Sequence, residues 1–87
     1  PVVFGTYVDS QWFRYKKGKV LGAVKKSNAS GRHATVLVGW KDGKFIGENS
    51  WGERWGDKGF YLMDPKAIAH SGSKDLFVAQ AGWENNR

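Results

Sequence analysis

The stretch HATVLVGWKDGKFIGENSW, residues 33–51, constrains the fold more than any other part of this chain. Two apolar runs rich in β-branched and aromatic residues flank Asp42-Gly43, a strong short-range hairpin signal. Loop length then decides which side chains meet. With a two-residue loop at Asp42-Gly43, His33 faces Gly52 and Asn49 falls on the opposite face. With a three-residue loop, Lys41-Asp42-Gly43, Gly43 takes the left-handed position of a bulge. His33 then pairs with Trp51, and Thr35 with Asn49. In that register His33 and Asn49 are diagonal neighbours on one face, roughly 7–8 Å apart at the backbone. The three-residue loop is the one that joins them in a side-chain hydrogen bond beneath Trp51.

The rest of the chain reads as further short strands with little helix. PVVFGTYV (1–8) is a buried strand, and Asp9 or Ser10 caps a helix over SQWFRYKK (10–17) with Trp12 and Tyr15 on its apolar face. KVLGAV (19–24) is extended, KKSNASGR (25–32) is a loop, and KFIGENSW (44–51) is the second hairpin strand. GERWGDKG (52–59) is a glycine-rich loop before a strand at 60–64. PKAIAH (65–70) forms a helical turn begun by Pro65. A last strand spans 76–80, followed by a loose tail. The sum is a mainly β (α+β) chain with a mostly antiparallel sheet.

At 87 residues this is one domain, 1–87, with a limited core. It contains no cysteine, so neither a disulfide nor a thiolate metal site exists within it. Five tryptophans must then supply much of the buried area. No apolar run approaches the roughly 20 residues of a membrane helix. Pro1 is not an initiator methionine, and the chain reads as part of something longer. No secretory signal is visible, which favours a cytoplasmic or virion-associated setting.

Charge is uneven. Residues 1–44 hold nine Lys and Arg against two Asp, while residues 45–87 hold five against six acids, for a net +6. A basic, aromatic sheet suits nucleic acid. The tryptophans lie mainly in the less basic half and no nucleic-acid motif is present, which argues against that partner. Two histidines without cysteine or a nearby carboxylate pair argue against a metal, and no cofactor is expected. Ser50 lacks the neighbours of a nucleophile elbow. His70 reads as a surface or helix-end residue.

A histidine acting as general base needs its far nitrogen held, so that the ring keeps one tautomer. An asparagine oxygen does this without adding charge, which suits an imidazolium beside a thiolate. The residues that carry this chemistry stand in a recognisable frame: His33-Ala34, Gly39-Trp40, Asn49-Ser50-Trp51-Gly52, Trp55-Gly56 and Gly59-Phe60. That frame resembles the C-terminal half of the papain-like cysteine peptidases. Upstream, Pro1-Val2, Trp12, Tyr15-Lys16 and Gly18 fit the same family more loosely. The likeness covers residues 1–62 and leaves 63–87 unassigned. It implies the antiparallel, barrel-like half-domain of the papain-type fold. It also implies His33 as catalytic base and acid, Asn49 as its orienter, Trp51 as the cover of their bond, and Gly5 and Ala34 as substrate-pocket residues.

The departures are informative. The family's cysteine nucleophile and oxyanion-hole glutamine belong to the other half of its fold. Arg32, where the family usually carries Asp or Asn, adds a positive charge before the histidine. Lack of the family's right-hand disulfide points to a bacterial or phage relative. The resemblance therefore implies the His/Asn-bearing half of a peptidase, inactive alone. Its partners are a Cys-bearing half or chain and a peptide or protein substrate. A non-catalytic papain-derived binding or structural module is the alternative.

Overall fold

Asp42 and Gly43 both have positive φ, 52° and 77°, so the hairpin turns through two residues, not three. Positive φ at both central positions is the type I′ geometry, whose twist matches that of the flanking strands. The computed structural model describes residues 2–70 and 76–78. In it β3 (Gly31–Lys41) runs antiparallel to β4 (Lys44–Glu48). Next to the turn, Lys41 pairs with Lys44, Trp40 with Phe45 and Gly39 with Ile46. A bulge at Val38 then shifts the ladder, so that Leu37 pairs with Gly47 and Val36 with Glu48. The bulge, not the turn, supplies the extra residue that the three-residue loop would have provided. Beyond it, the register is the one that carries His33 toward Asn49.

The described strands form one six-stranded sheet in the order β2-β5-β4-β3-β1-β6. β1 spans Val2–Val8, β2 Val20–Leu21, β5 Phe60–Met63 and β6 Leu76–Val78. β2 pairs parallel with β5, and every other pairing is antiparallel. The sheet is mainly β as expected but is not a closed barrel. Its edges are β2 and β6, and β2 is only two residues long.

Helix α1 covers Ser10–Phe13 only, shorter than the expected 10–17. Asp9 caps it, its side chain accepting from the Gln11 backbone at 3.0 Å. Tertiary bonds end it early. The Tyr15 hydroxyl donates to the Lys19 carbonyl at 2.7 Å and accepts from the Leu62 backbone at 2.9 Å. Lys16 bridges to Gly56. These draw the chain out of helical geometry one turn after it begins. The expected strands at 19–24 and 44–51 also prove shorter, and a 3-10 turn at Lys26–Asn28 interrupts the 25–32 loop. Helix α2 spans Pro65–His70, so His70 stands at a helix end. The strand expected at 76–80 is described only over 76–78, and the tail lies outside the described residues.

The core lies against the face of the sheet that carries Leu21, Tyr61, Met63 and Leu37. Trp12 is fully buried at its centre, stacked on Trp55 and tilted against Tyr61. Gly47 makes room for this arrangement: a Cβ there would overlap the Tyr61 ring. The 49–59 loop closes through Asn49 N–H to the Gly59 carbonyl at 2.9 Å and Trp55 Nε1–H to the Trp12 carbonyl at 2.6 Å.

Candidate active site

His33 lies on β3, paired with Thr6 of β1. Asn49 follows the last residue of β4 and is buried, 8% exposed. The two meet: His33 Nε2 lies 2.6 Å from Asn49 Oδ1. They do so without the ladder reaching them, because β3–β4 pairing stops at Val36–Glu48 and His33 does not pair with Trp51. Asn49 is placed by its own backbone bond to Gly59 and by Thr35, whose hydroxyl donates to the Glu48 carbonyl at 2.9 Å.

The amide orientation, and with it the histidine tautomer, follows from one further contact. The Ser50 backbone N–H donates to the same atom of Asn49 at 2.8 Å. A backbone N–H can only donate, so that atom is the amide oxygen. An oxygen acceptor requires a proton on His33 Nε2. Nδ1 is therefore the basic nitrogen of the neutral ring. Ser50 contributes to the site through its main chain, and its side chain is exposed.

Aromatic rings enclose this pair. The Trp51 ring lies 4.8 Å from the His33 ring at 31°, a tilted contact that covers one side of the imidazole. Phe13, half exposed, stacks on Trp51 at 5.2 Å and 11°. Trp12 meets His33 edge-on at 6.3 Å. Among the described residues, Trp12 Nε1 and Asn49 Nδ2 are buried without a hydrogen-bond partner. Each costs about 1–3 kcal/mol that the surrounding packing must offset.

Beneath the site a second polar pair is buried. Thr35 uses its one proton on Glu48, so the Tyr61 hydroxyl 3.0 Å away donates to Thr35 Oγ1. Burial pushes the Tyr61 hydroxyl well above its ordinary pKa.

Gly5 and Ala34 are brought together as a cross-strand pair beside Thr6–His33. Strand alternation turns Ala34 to the face opposite His33. Arg32 shares that opposite face, its guanidinium 5.1 Å above the Tyr7 ring, so its charge is directed away from the imidazole. Among the described residues no cluster of three potential metal ligands occurs.

The sequence reading did not place Trp12 and Phe13 at this site. Trp12 is marked in the sequence by its spacing from Tyr15, as core, and by its place in the looser upstream family match, neither of which puts it against His33. Phe13 carries no such mark. The Ser50 N–H was foreseeable, since an Asn side chain often bonds a nearby backbone N–H in a turn.

The papain family cysteine protease model matches residues 1–80. The chain is 37% identical over 70 residues to a cathepsin B-like cysteine proteinase 3 of Ostertagia ostertagi, covering 72% of this chain and 37% of that protein. It is 33% identical over 86 residues to an uncharacterized peptidase C1-like protein of Acanthamoeba polyphaga mimivirus, covering 92% and 28%. Bovine pro-cathepsin H is 33% identical over 69 residues, covering 74% and 21%. The chain thus spans well under half the length of these relatives. In fold it is similar to the bromelain protease of Ananas comosus, solved with the E64 inhibitor. That likeness has a TM-score of 0.58 at 20% identity and covers 87% of this chain and 39% of the other.

Proposed function

This chain belongs to the papain family of cysteine proteases, and we propose that it is the His/Asn-bearing half of such an enzyme, with the nucleophile supplied from outside its 87 residues. The observation that carries this is the 2.6 Å bond from His33 Nε2 to an Asn49 oxygen that Ser50 also holds. Such a bond fixes Nδ1 as the nitrogen available to a thiol.

The chemistry follows from that assignment. Nδ1 takes the proton of a cysteine thiol brought against it, giving a thiolate and an imidazolium. The thiolate attacks the scissile carbonyl carbon. As the C–N bond breaks, the imidazolium returns the proton to the leaving amine and a thioester remains. A water then attacks the thioester carbon, Nδ1 taking its proton, and the C–S bond breaks to release the acid and return the thiolate beside the imidazolium. Asn49 keeps the ring oriented through both charge states without adding a charge of its own. Trp51 keeps water from competing for the His33–Asn49 bond. His33 serves the leaving-amine side of the strand. Ala34, turned to the other face beside Gly5, borders the substrate side chain upstream of the cleaved bond. A positioned acid–base group of this kind contributes on the order of 10²–10⁴ in rate.

The test joins this chain to the Cys-bearing half expected upstream of Pro1 in its gene. A thiol-reactive peptide inhibitor should label that assembly, and His33→Ala should abolish labelling while thermal unfolding still shows a folded protein. An upstream sequence without a cysteine, or an assembly that never labels, overturns the peptidase reading in favour of a non-catalytic module.

A further inference from the structure

The face of the sheet opposite His33 carries features the catalytic reading does not use. Strand alternation puts Tyr61, Met63, Phe45 and Gly47 toward the core and Leu62, Phe60 and Ile46 outward. A sheet with one solvated face ordinarily presents polar residues there. Here Val20, Leu62 and Ile46 stand in one cross-strand row over β2, β5 and β4, and Phe60 and Val20 are exposed. They floor an open groove of about 630 Å³. That volume is in the range of small-ligand sites.

The rim is cationic, and its arrangement has a cost. Lys41 and Lys44 sit directly opposite each other beside the turn, and both line the groove. Like charges directly opposed across an antiparallel pair are destabilising. Among the described residues, Lys44 reaches only the Asp42 main-chain carbonyl, at 3.4 Å. Lys17 and Lys58 line the same groove, and Lys58 holds a φ of 53°, uncommon for a residue with a side chain. Among the described residues no carboxylate forms an ion pair with any of these four lysines, and only Asp42 and Asp57 bring negative charge to the lining. An opposed lysine pair, a left-handed lysine and an outward apolar row converge on one place. Each is unfavourable in isolation. An anionic group on an apolar body would relieve all but the backbone strain.

We propose that this groove binds a small amphiphilic anion, an alkyl or aromatic body bearing an acid group. The body lies on Val20, Leu62 and Ile46, and the acid group lies between Lys41 and Lys44. The inference is independent of the peptidase reading, because it rests on β2, β4, β5 and the Lys41–Lys44 turn and on none of the residues assigned to catalysis or the substrate pocket.

The test uses the 87-residue chain with octanoate as probe, followed by amide chemical shifts in a ¹⁵N-labelled sample. Acetate carries the charge without the body, and 1-octanol carries the body without the charge. Octanoate should give saturable shifts confined to residues 20, 41–46 and 60–62. Acetate and octanol should each bind at least tenfold more weakly. Lys41→Gln/Lys44→Gln should weaken octanoate at least tenfold while leaving the His33 and Asn49 resonances in place. Leu62→Gln, which keeps the lysines, should weaken it comparably. Acetate or octanol binding as tightly as octanoate overturns the proposal. So does unchanged binding by the double lysine variant, or shifts that fall instead on the exposed Val38 and Trp40.

Discussion

Thr35→Val probes the polar pair on which the His33–Asn49 geometry rests. The substitution is close to isosteric, so packing is little changed and the loss is polar. It removes the donor to the Glu48 carbonyl and the acceptor of the Tyr61 hydroxyl. A net hydrogen bond contributes about 1 kcal/mol, and a buried hydroxyl left unpartnered costs about 1–3 kcal/mol. Tyr61 is 1% exposed, so water cannot replace the lost partner without repacking. The expected destabilisation is about 2–4 kcal/mol. Tyr61→Phe should cost less, about 1 kcal/mol, because Thr35 keeps its bond to Glu48. In the double variant the orphaned hydroxyl no longer exists. Its cost should fall below the sum of the singles by about 1–2 kcal/mol. Urea unfolding followed by tryptophan fluorescence, extrapolated to water, gives all four corners of the cycle. Additivity within about 0.3 kcal/mol, or a neutral Thr35→Val, would refute the bonding pattern described here.

Other outcomes follow from the same structure. Gly47→Ala drives a methyl into the Tyr61 ring and should cost at least about 3 kcal/mol in urea unfolding, with much of it recovered when Tyr61 is also reduced to Leu. Tyr61 has its pKa raised by burial, so its contribution is intact below pH 10 and is lost as pH rises through the higher folded value. Stability should therefore fall above pH 10 by up to about 1.4 kcal/mol per pH unit for this group, and Tyr61→Phe should make that decline shallower. Deleting Val38 removes the bulge and turns the residues N-terminal to it to the wrong face. The deletion variant should lose cooperative thermal unfolding, whereas Val38→Ala, at an exposed position, should unfold within about 0.5 kcal/mol of the parent.

Much of this fold was legible because its signals are local. Asp42-Gly43 between apolar runs marks a hairpin, and the Asn49-Ser50-Trp51-Gly52 frame marks the residues that join His33. What brings them together differs from the three-residue turn that the sequence suggests: it is a two-residue turn and a bulge. A three-residue turn and a two-residue turn followed by a bulge give the same register at Val36–Glu48, where the ladder ends, so the site beyond it does not distinguish them. Asp-Gly itself favours the two-residue I′ turn, and Gly39 inside an apolar strand is the sign of a nearby bulge. Those two signals together would have found Val38. The length of α1 was not legible, since SQWFRYKK continues in helix-compatible residues. What ends it is the Tyr15 hydroxyl held by Lys19 and Leu62, the latter 47 positions away. The same limit hid Trp12 and Phe13, which reach His33 and Trp51 only once the sheet has formed.

His33 carries its neutral-state proton on Nε2, given to Asn49, and keeps Nδ1 as the base. Imidazole ¹⁵N shifts, recorded in the 87-residue chain at a pH where the ring is neutral, report the tautomer directly. The expected result is a protonated Nε2 whose proton exchanges slowly, and a loss of that single-tautomer signature in Asn49→Ala. A proton resident on Nδ1, or a spectrum that Asn49→Ala leaves unchanged, would contradict it.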